Sequence, residues 1–442
     1  MSIPVALRYP LDVERKSVDV KNVAVIGLGT VGLGIVEVLL KRTSPLLSLK
    51  KVVVRNAHKQ RDLALPDDML TTNVNEVLYD PQIDIVVEVI GGLDPATSIV
   101  MAALRQGKHV VTANKALIAE NGALLFKEAR RCDRQIGYRG TFVGCYTLLH
   151  HLSLMLESNM VRRVSAILNG TSNYVLSTME ETNCALDEAL RAAQKLGYAE
   201  PDPTQDLDGT DTARKVKILL GLTSNSAKLP DPLTAKGVSD ISVHDIRYAK
   251  ELGYRIRLLG VIERANDKLY ACVFPALVPA SSMLGKTSGA YNFIQIEDAF
   301  GGESGLLALG AGRYPTAAAI LRDLEDIANG VQLPMPEADS ELRLGDPAEL
   351  ESKFYLRLTL VDEPGVLAKI ADGLGRRGIS ISAVMQQESA GSAVVPVVMI
   401  LHRTQERKVL AALQEIDQLQ VVKDKTVIYQ IYDRGNPVAS VL

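Results

Sequence analysis

Val23-Ala24-Val25-Ile26-Gly27-Leu28-Gly29-Thr30-Val31-Gly32-Leu33-Gly34 is the stretch on which the fold turns. Four apolar residues run straight into glycines, and an apolar helical pattern continues to Leu40 with Pro45 beyond its end. That order reads as strand, tight turn and helix. Gly27 permits the turn, Gly29 lets backbone approach a pyrophosphate, and Gly32 allows close helix packing. With Leu28, Thr30 and Val31 these glycines form G-x-G-x-x-G, and the first turn of the helix offers unpaired N–H donors to an anion. A glycine-rich turn that binds nothing is the plain alternative; the strand–helix setting favours dinucleotide binding. The nearly uncharged run from Val23 to Leu40 could pass for a membrane span, but four glycines and a change of period speak against it.

Outward from this unit the alternation continues. Val52–Val54, Ile83–Val89 (ending at Gly91-Gly92) and His109–Thr112 read as further strands, and Lys115–Arg131 as a crossover helix. Strands alternating with helices predict a parallel sheet over residues 22–140. From 141 to 330 the texture changes to longer helices, such as Leu186–Leu196 and Asp211–Leu222, mixed with β-type segments, which predicts a separate α+β substrate domain. Residues 331–350, acidic and carrying Pro334, Pro336 and Pro347, read as a semi-rigid linker. Residues 351–442 follow the order βαββαβ of a ferredoxin-like domain. Residues 1–21, charged throughout with two prolines, read as an extension without the apolar core of a secretory signal.

With 442 residues, several domains are expected. A net charge of −3 with both signs dispersed excludes an electrostatic footprint for nucleic acid or anionic membrane, and favours a small-molecule partner. Cys132, Cys145, Cys184 and Cys272 have no metal-type spacing and suit a reducing, cytoplasmic setting. His150-His151 has no cysteine or carboxylate at ligand spacing.

The densest chemistry lies between Gly197 and Lys215. Glu200, Asp202, Asp206, Asp208 and Asp211, with Pro201 and Pro203, precede a single helical lysine. Asp211 and Lys215 are four apart and share a helix face. A surface ion pair is the bland reading. Crowded carboxylates on a proline-stiffened loop repel one another unless a cation is present, however, and a substrate ammonium would supply it. Lys215 could then donate a proton to a carbonyl oxygen as hydride arrives. Lys115, after Thr112-Ala113-Asn114, could reach cofactor or substrate carboxylate, or merely start a helix. The turn Asn169-Gly170-Thr171-Ser172-Asn173-Tyr174 either presents Gly170 and Thr171 to a carboxylate or caps the next helix. After the second strand, where an NAD-specific site carries an acid, this chain has Arg55-Asn56, with Lys59 and Arg61 near; a guanidinium there suits the 2′-phosphate of NADP, with NAD as the other possibility.

Together, Gly27 to Gly34, Thr112 to Lys115, Asn169 to Tyr174, Gly197 to Lys215 and Gly310-Ala311-Gly312 with Pro315-Thr316-Ala317 resemble homoserine dehydrogenase in order and spacing, over residues 22 to about 330. The resemblance implies an α/β protein with a Rossmann-type domain that interconverts L-aspartate 4-semialdehyde and L-homoserine in threonine, methionine and isoleucine biosynthesis. By motif match Lys215 is the proton-donating lysine with Asp211 beside it, Glu200 and Asp206 bind homoserine, and Lys115 lies between cofactor and substrate. Homodimers or homotetramers built through the second domain are also implied. Asp362-Glu363-Pro364-Gly365-Val366-Leu367 and Gly378-Ile379-Ser380-Ile381 are similar to ACT domains, which bind amino acids at paired interfaces. Threonine feedback is the implied use; a stabilising module without a ligand is the plain alternative.

The chain departs from the family at Tyr138-Arg139-Gly140-Thr141-Phe142-Val143-Gly144-Cys145-Tyr146-Thr147. The family usually reads Tyr-Glu-Ala-Ser-Val-Ala-Gly-Gly-Ile-Pro, in a loop that surrounds a sodium ion. Arg139 stands where the glutamate would be, so the sodium is not carried over and the metal question stays open. Cys145 and Tyr146 bring bulk towards the expected substrate pocket. Thr287 to Phe293 also keeps only part of the family's pattern. Two rival readings follow: a catalytically silent sensor that binds nucleotide and amino acid, and an oxidoreductase for another amino-acid aldehyde.

Overall fold

The computed structural model describes residues 19–41, 44–59, 63, 65–142, 161–224, 226, 229–230, 233–265, 267–300, 302–310, 312–337, 343–386 and 393–432. The first part of the chain runs β1 (Lys21–Ile26), α1 (Thr30–Leu40), β2 (Leu47–Val53), β3 (Leu70–Thr71), α2 (Asn75–Leu78), β4 (Ile85–Glu88), α3 (Ala96–Arg105), β5 (His109–Thr112), α4 (Lys115–Arg131) and β6 (Ile136–Gly137). The strands form one parallel sheet in the order β3-β2-β1-β4-β5-β6. Both faces are covered, which is why Val23–Ile26 and Ile85–Val87 are continuous buried apolar runs. β2 begins earlier than the run Val52–Val54 indicates, because Ser48 and Lys50 face outward and break the apolar pattern. The order reverses at β1: the chain goes to β2 on one side and returns to β4 on the other. Ligands of such sheets bind in the crevice outside the strands' carboxyl ends at this switch point.

The second part contains β7 (Val161–Ile167), α5 (Gly170–Thr182), α6 (Leu186–Lys195), α7 (Thr204–Leu207), α8 (Thr210–Ser224), α9 (Val243–Glu251), β8 (Tyr254–Ala265), β9 (Lys268–Pro279), α10 (Met283–Lys286), β10 (Tyr291–Asp298), β11 (Glu303–Leu309) and α11 (Arg313–Ala328). Although α11 follows the second set of strands, it packs back on the first sheet: Ala317, Ile320, Leu324 and Ile327 share a core with Val23, Val25 and Ile35. Gly34 of α1 sits against Arg313, where a Cβ would lie 2.9 Å from the arginine Cγ, and Arg313 also binds Glu37 at 2.6 Å. The segment expected to be a linker also docks on the first domain, with Tyr138 donating to Pro334 O at 3.0 Å and the amide of Leu333 donating to Gln135 Oε1 at 2.7 Å.

The C-terminal part is β12 (Glu351–Val361), α12 (Val366–Gly375), β13 (Ile381–Gln386), β14 (Val394–Gln405), α13 (Glu406–Ile416) and β15 (Val422–Ile431). Its strand order, β15-β12-β14-β13, is that of the expected ferredoxin-like module. This module is not a detached bead. β15 pairs in parallel with β9 through Gln430↔Ala276 and Ile431↔Leu277, which makes one nine-stranded sheet, β11-β10-β7-β8-β9-β15-β12-β14-β13. Arg357 of β12 binds the fully buried Asp245 of α9 at 2.6 Å, and the hydroxyls of Tyr432 and Ser165 are hydrogen-bonded across the same junction.

Candidate active site

The turn after β1 has the geometry that its glycines predict. Gly27 has φ +106°, and a Cβ on it would lie 2.8 Å from Val89 O at the end of β4. A Cβ on Gly32 would lie 2.1 Å from Gly27 O, whereas Gly29 faces open space. Gly29 is the N-cap of α1 and makes no side-chain cap, and the first turn, which opens with Thr30 and Val31, has no acidic residue. A helix N-terminus with unblocked N–H groups beside a bare glycine fits a dinucleotide pyrophosphate. Arg55 is exposed just beyond β2; Lys59 is exposed too, and Arg61 lies outside the described residues.

Strand ends β4 and β5 are tied together by the buried Glu88. Its carboxylate accepts from Thr112 Oγ1 at 2.6 Å and from the amides of Ile90 and Gly91 at 2.8 and 3.2 Å. Asn114 caps α4 by accepting from the amide of Leu117 at 3.1 Å and donates to Gly92 O at 2.6 Å. Lys115 therefore starts α4 at the rim of the crevice, with its side chain 34% exposed.

α8 brings the second half of the site to this point. Its Asp211 and Lys215 form an ion pair of 2.7 Å, and the other oxygen of Asp211 lies 3.3 Å from Lys115 Nζ. One carboxylate thus bridges two ammonium groups from two domains. Burial acts to raise the Asp211 pKa, but Lys215 and Lys115 outweigh it and hold the carboxyl well below its usual range. Lys215 is buried, and burial lowers its pKa, with Asp211 opposing the shift. Nζ also donates to Leu168 O at 2.5 Å, so two of its three protons have partners among the described residues.

Asn169 organises the acids. It caps α5 by accepting from the amide of Ser172 at 2.7 Å, and its Nδ2 donates to Asp206 at 2.6 Å and to Asp211 at 2.9 Å. Burial raises the Asp206 pKa, with the Asn169 hydrogen bond opposing. Gly170 opens α5 where a Cβ would come 2.8 Å from Ala290 O, and Thr171 donates to Tyr198 O at 2.7 Å. Asp206, Asp211, Lys215, Lys115 and the Asn169 turn therefore converge. Glu200 does not join their hydrogen bonds among the described residues: it is exposed, with its carbonyl accepting from Gln194 Nε2 at 3.3 Å.

Arg139, which stands where the family's glutamate would be, is paired with acids of α11. It is buried against α11, with Nη1 2.6 Å from Asp326 and 3.1 Å from Asp323, and its amide donates to Asp323 at 2.9 Å. Such a neutralised guanidinium supplies no oxygen to a cation, so Arg139 does not fit the ligand role of the family's glutamate. Cys145, Tyr146 and His150-His151 lie outside the described residues. Sequence reading missed the carbonyl of Leu168, the bridging role of Asn169 and the partners of Arg139. Asn169 had been visible as a capping residue.

A nucleotide turn at a sheet's switch point, facing a buried lysine–carboxylate pair on a second domain, defines the class: an NAD(P)-dependent oxidoreductase. Residues 148–324 match the family model for homoserine dehydrogenase, residues 27–139 that for the homoserine dehydrogenase NAD binding domain, and residues 354–420 that for the ACT domain. Homoserine dehydrogenase of Bacillus subtilis is 33% identical over 431 residues, covering 94% of this chain and 99% of its own; that of Synechocystis is 34% identical, covering 91% and 97%. The crystal structure of a homoserine dehydrogenase from Thiobacillus denitrificans superposes with a TM-score of 0.87 at 35% identity, covering 93% of this chain and 98% of that one. The chain belongs to the homoserine dehydrogenase family.

Proposed function

We propose that Lys215 is the proton donor when the chain reduces L-aspartate 4-semialdehyde to L-homoserine, and the acceptor in the reverse direction. The observation that carries this is the third proton of Lys215 Nζ, which has no partner among the described residues after Leu168 O and Asp211 have taken two. When bound, the nicotinamide supplies or accepts the hydride at the carbonyl carbon. As that carbon is reduced, its oxygen gains negative charge, and Lys215 transfers a proton to it. Asp211 keeps the ammonium oriented and charged despite burial. Asp206 and, by motif match, Glu200 receive the substrate ammonium, while Lys115, Gly170 and Thr171 serve its carboxylate. Lys115 is also placed to border the nicotinamide.

NADP is the preferred cofactor in this reading, because Arg55 stands where an acid would favour NAD; Arg55→Asp should lower the NADPH-over-NADH preference in kcat/KM. The C-terminal domain takes an amino-acid effector, threonine by our reading, and the shared β9–β15 ladder supports coupling to the second domain. The exposed Leu307, Leu309 and Tyr291 at the β10–β11 edge support homo-oligomers built there. No helix among the described residues is long and apolar enough to cross a membrane. A cytoplasmic role in threonine, methionine and isoleucine biosynthesis completes the proposal, with domain limits near 140, 330 and 350.

The test is NADPH oxidation by the purified chain with L-aspartate 4-semialdehyde, alongside Lys215→Ala. Turnover that the substitution abolishes supports the assignment. Nucleotide binding without turnover would indicate the silent sensor, and activity restricted to other amino-acid aldehydes the sibling oxidoreductase.

A further inference from the structure

The antiparallel ladder between β10 and β7 ends at the pair Phe293↔Ile167. One step further, Asn292 faces Leu168, and the rung is made by a side chain: Asn292 Nδ2 donates to Leu168 O at 3.1 Å. That carbonyl is also the acceptor for Lys215 Nζ at 2.5 Å. A carbonyl oxygen has two lone pairs, so the two donors together fill it. Asn292 is 2% exposed, and its Oδ1 is buried without a hydrogen-bond partner among the described residues. An orphaned buried acceptor costs stability, so a residue needed only to fill space would be better served by leucine. Gly310 makes room for the arrangement, since a Cβ there would lie 2.6 Å from Asn292 Oδ1.

We propose that Asn292 is a positioning residue for Lys215, acting through the carbonyl of Leu168. The inference rests on the reading of Lys215 as proton donor. Leu168 lies beyond the last paired residue of β7, and without the Asn292 amide its peptide would be free to turn. Lys215 would then lose the acceptor that aims its third proton at the substrate. The charged form of the lysine would lose a partner as well, which favours the neutral amine. Asn292 itself makes no contact with Asp211, Asp206 or Lys115 among the hydrogen bonds of the site.

The experiment measures kcat, KM and their pH profiles for Asn292→Leu, which removes the donor at similar volume, and for Gly310→Ala, which displaces the same side chain by a different route. NADPH binding serves as the folding control. The expected result for both is a kcat lowered about tenfold with KM changed less than about twofold, as misaim rather than lost binding predicts. The alkaline limb of the reduction should also move to lower pH by about half a unit. In a Lys215→Met background, Asn292→Leu should not lower the residual rate further. An unchanged pH limb, or an equal loss with and without Lys215, overturns the inference. If Asn292→Leu does not fold, Gly310→Ala decides by the same criteria. If Lys215→Met itself leaves turnover intact, the proton-donor reading has failed and this inference falls with it; if only the Asn292 and Gly310 variants are silent, that reading stands.

Discussion

Lys215 and Asp211 lie one turn apart on α8, with Nζ 2.7 Å from the carboxylate, and both are withdrawn from solvent. A buried pair of this kind is a poor source of stability, because desolvation offsets most of the attraction. Its value lies in holding a charged lysine where water would not.

Replacing Lys215 by alanine should lower kcat for semialdehyde reduction by about 100-fold or more, the usual range for a positioned acid. Affinity for NADPH should stay within about twofold, because the nucleotide turn at Gly27–Gly32 belongs to the other domain. Steady-state kinetics with fluorescence titration of the cofactor would check both, and a loss confined to KM would count against proton donation.

The pH profile should carry the sign of the Lys215 shift. Burial lowers the lysine pKa, so the protonated donor is lost as pH rises through a value below the ordinary lysine range. Reduction should fall on that alkaline side, while homoserine oxidation, which needs the neutral amine, should rise there. Asp211 opposes the lowering, so Asp211→Asn should move the limb to still lower pH. Profiles in both directions, measured on wild type and variant, decide the matter; a limb that moves upward would contradict it.

Gly29 and Gly32 should separate binding from folding. A Cβ on Gly29 meets nothing within 4 Å, so Gly29→Ala should unfold like wild type and yet bind NADPH at least about tenfold more weakly, because it fills the space for the pyrophosphate. A Cβ on Gly32 would lie 2.1 Å from Gly27 O, so Gly32→Ala should lower Tm as well. Thermal melts with and without cofactor distinguish the two.

Arg139 should matter for stability. Arg139→Met leaves the buried Asp323 without its guanidinium, while Asp326 keeps Arg322 at 3.2 Å, a loss of about 3–5 kcal/mol. Burial raises the Asp323 pKa to about 7, with Arg139 opposing. The folded state therefore keeps a proton that the unfolded chain releases near 4, and stability from this group declines as pH rises from about 4 to 7. Without Arg139 the folded pKa rises further, so the deficit of the variant should be largest above pH 7 and shrink on acidification. Denaturant unfolding across that range is the measurement; a deficit that grows in acid would refute the assignment.

The amino-acid sequence by itself determined what depends on neighbours along the chain. The glycine turn, the pairing of Asp211 with Lys215, the capping role of Asn169 and the βαββαβ order of the last domain are local patterns, set by φ/ψ freedom, helical period and alternation. The tertiary structure alone decided which distant groups meet. Lys115 reaches Asp211 because α4 packs on α8, and Lys217 ties them again through Glu120 at 2.9 Å. Arg139 read only as a positive charge in place of the family's glutamate until α11, nearly two hundred residues later, delivered Asp323 and Asp326 to it. Asn292 lay in the segment Thr287 to Phe293, noted only for its partial family pattern, and the carbonyl of Leu168 carried no motif, since which distant carbonyl a side-chain amide meets depends on register. The joining of β15 to β9 was equally silent, because a strand's sequence specifies which face is buried but leaves open which edge it will find.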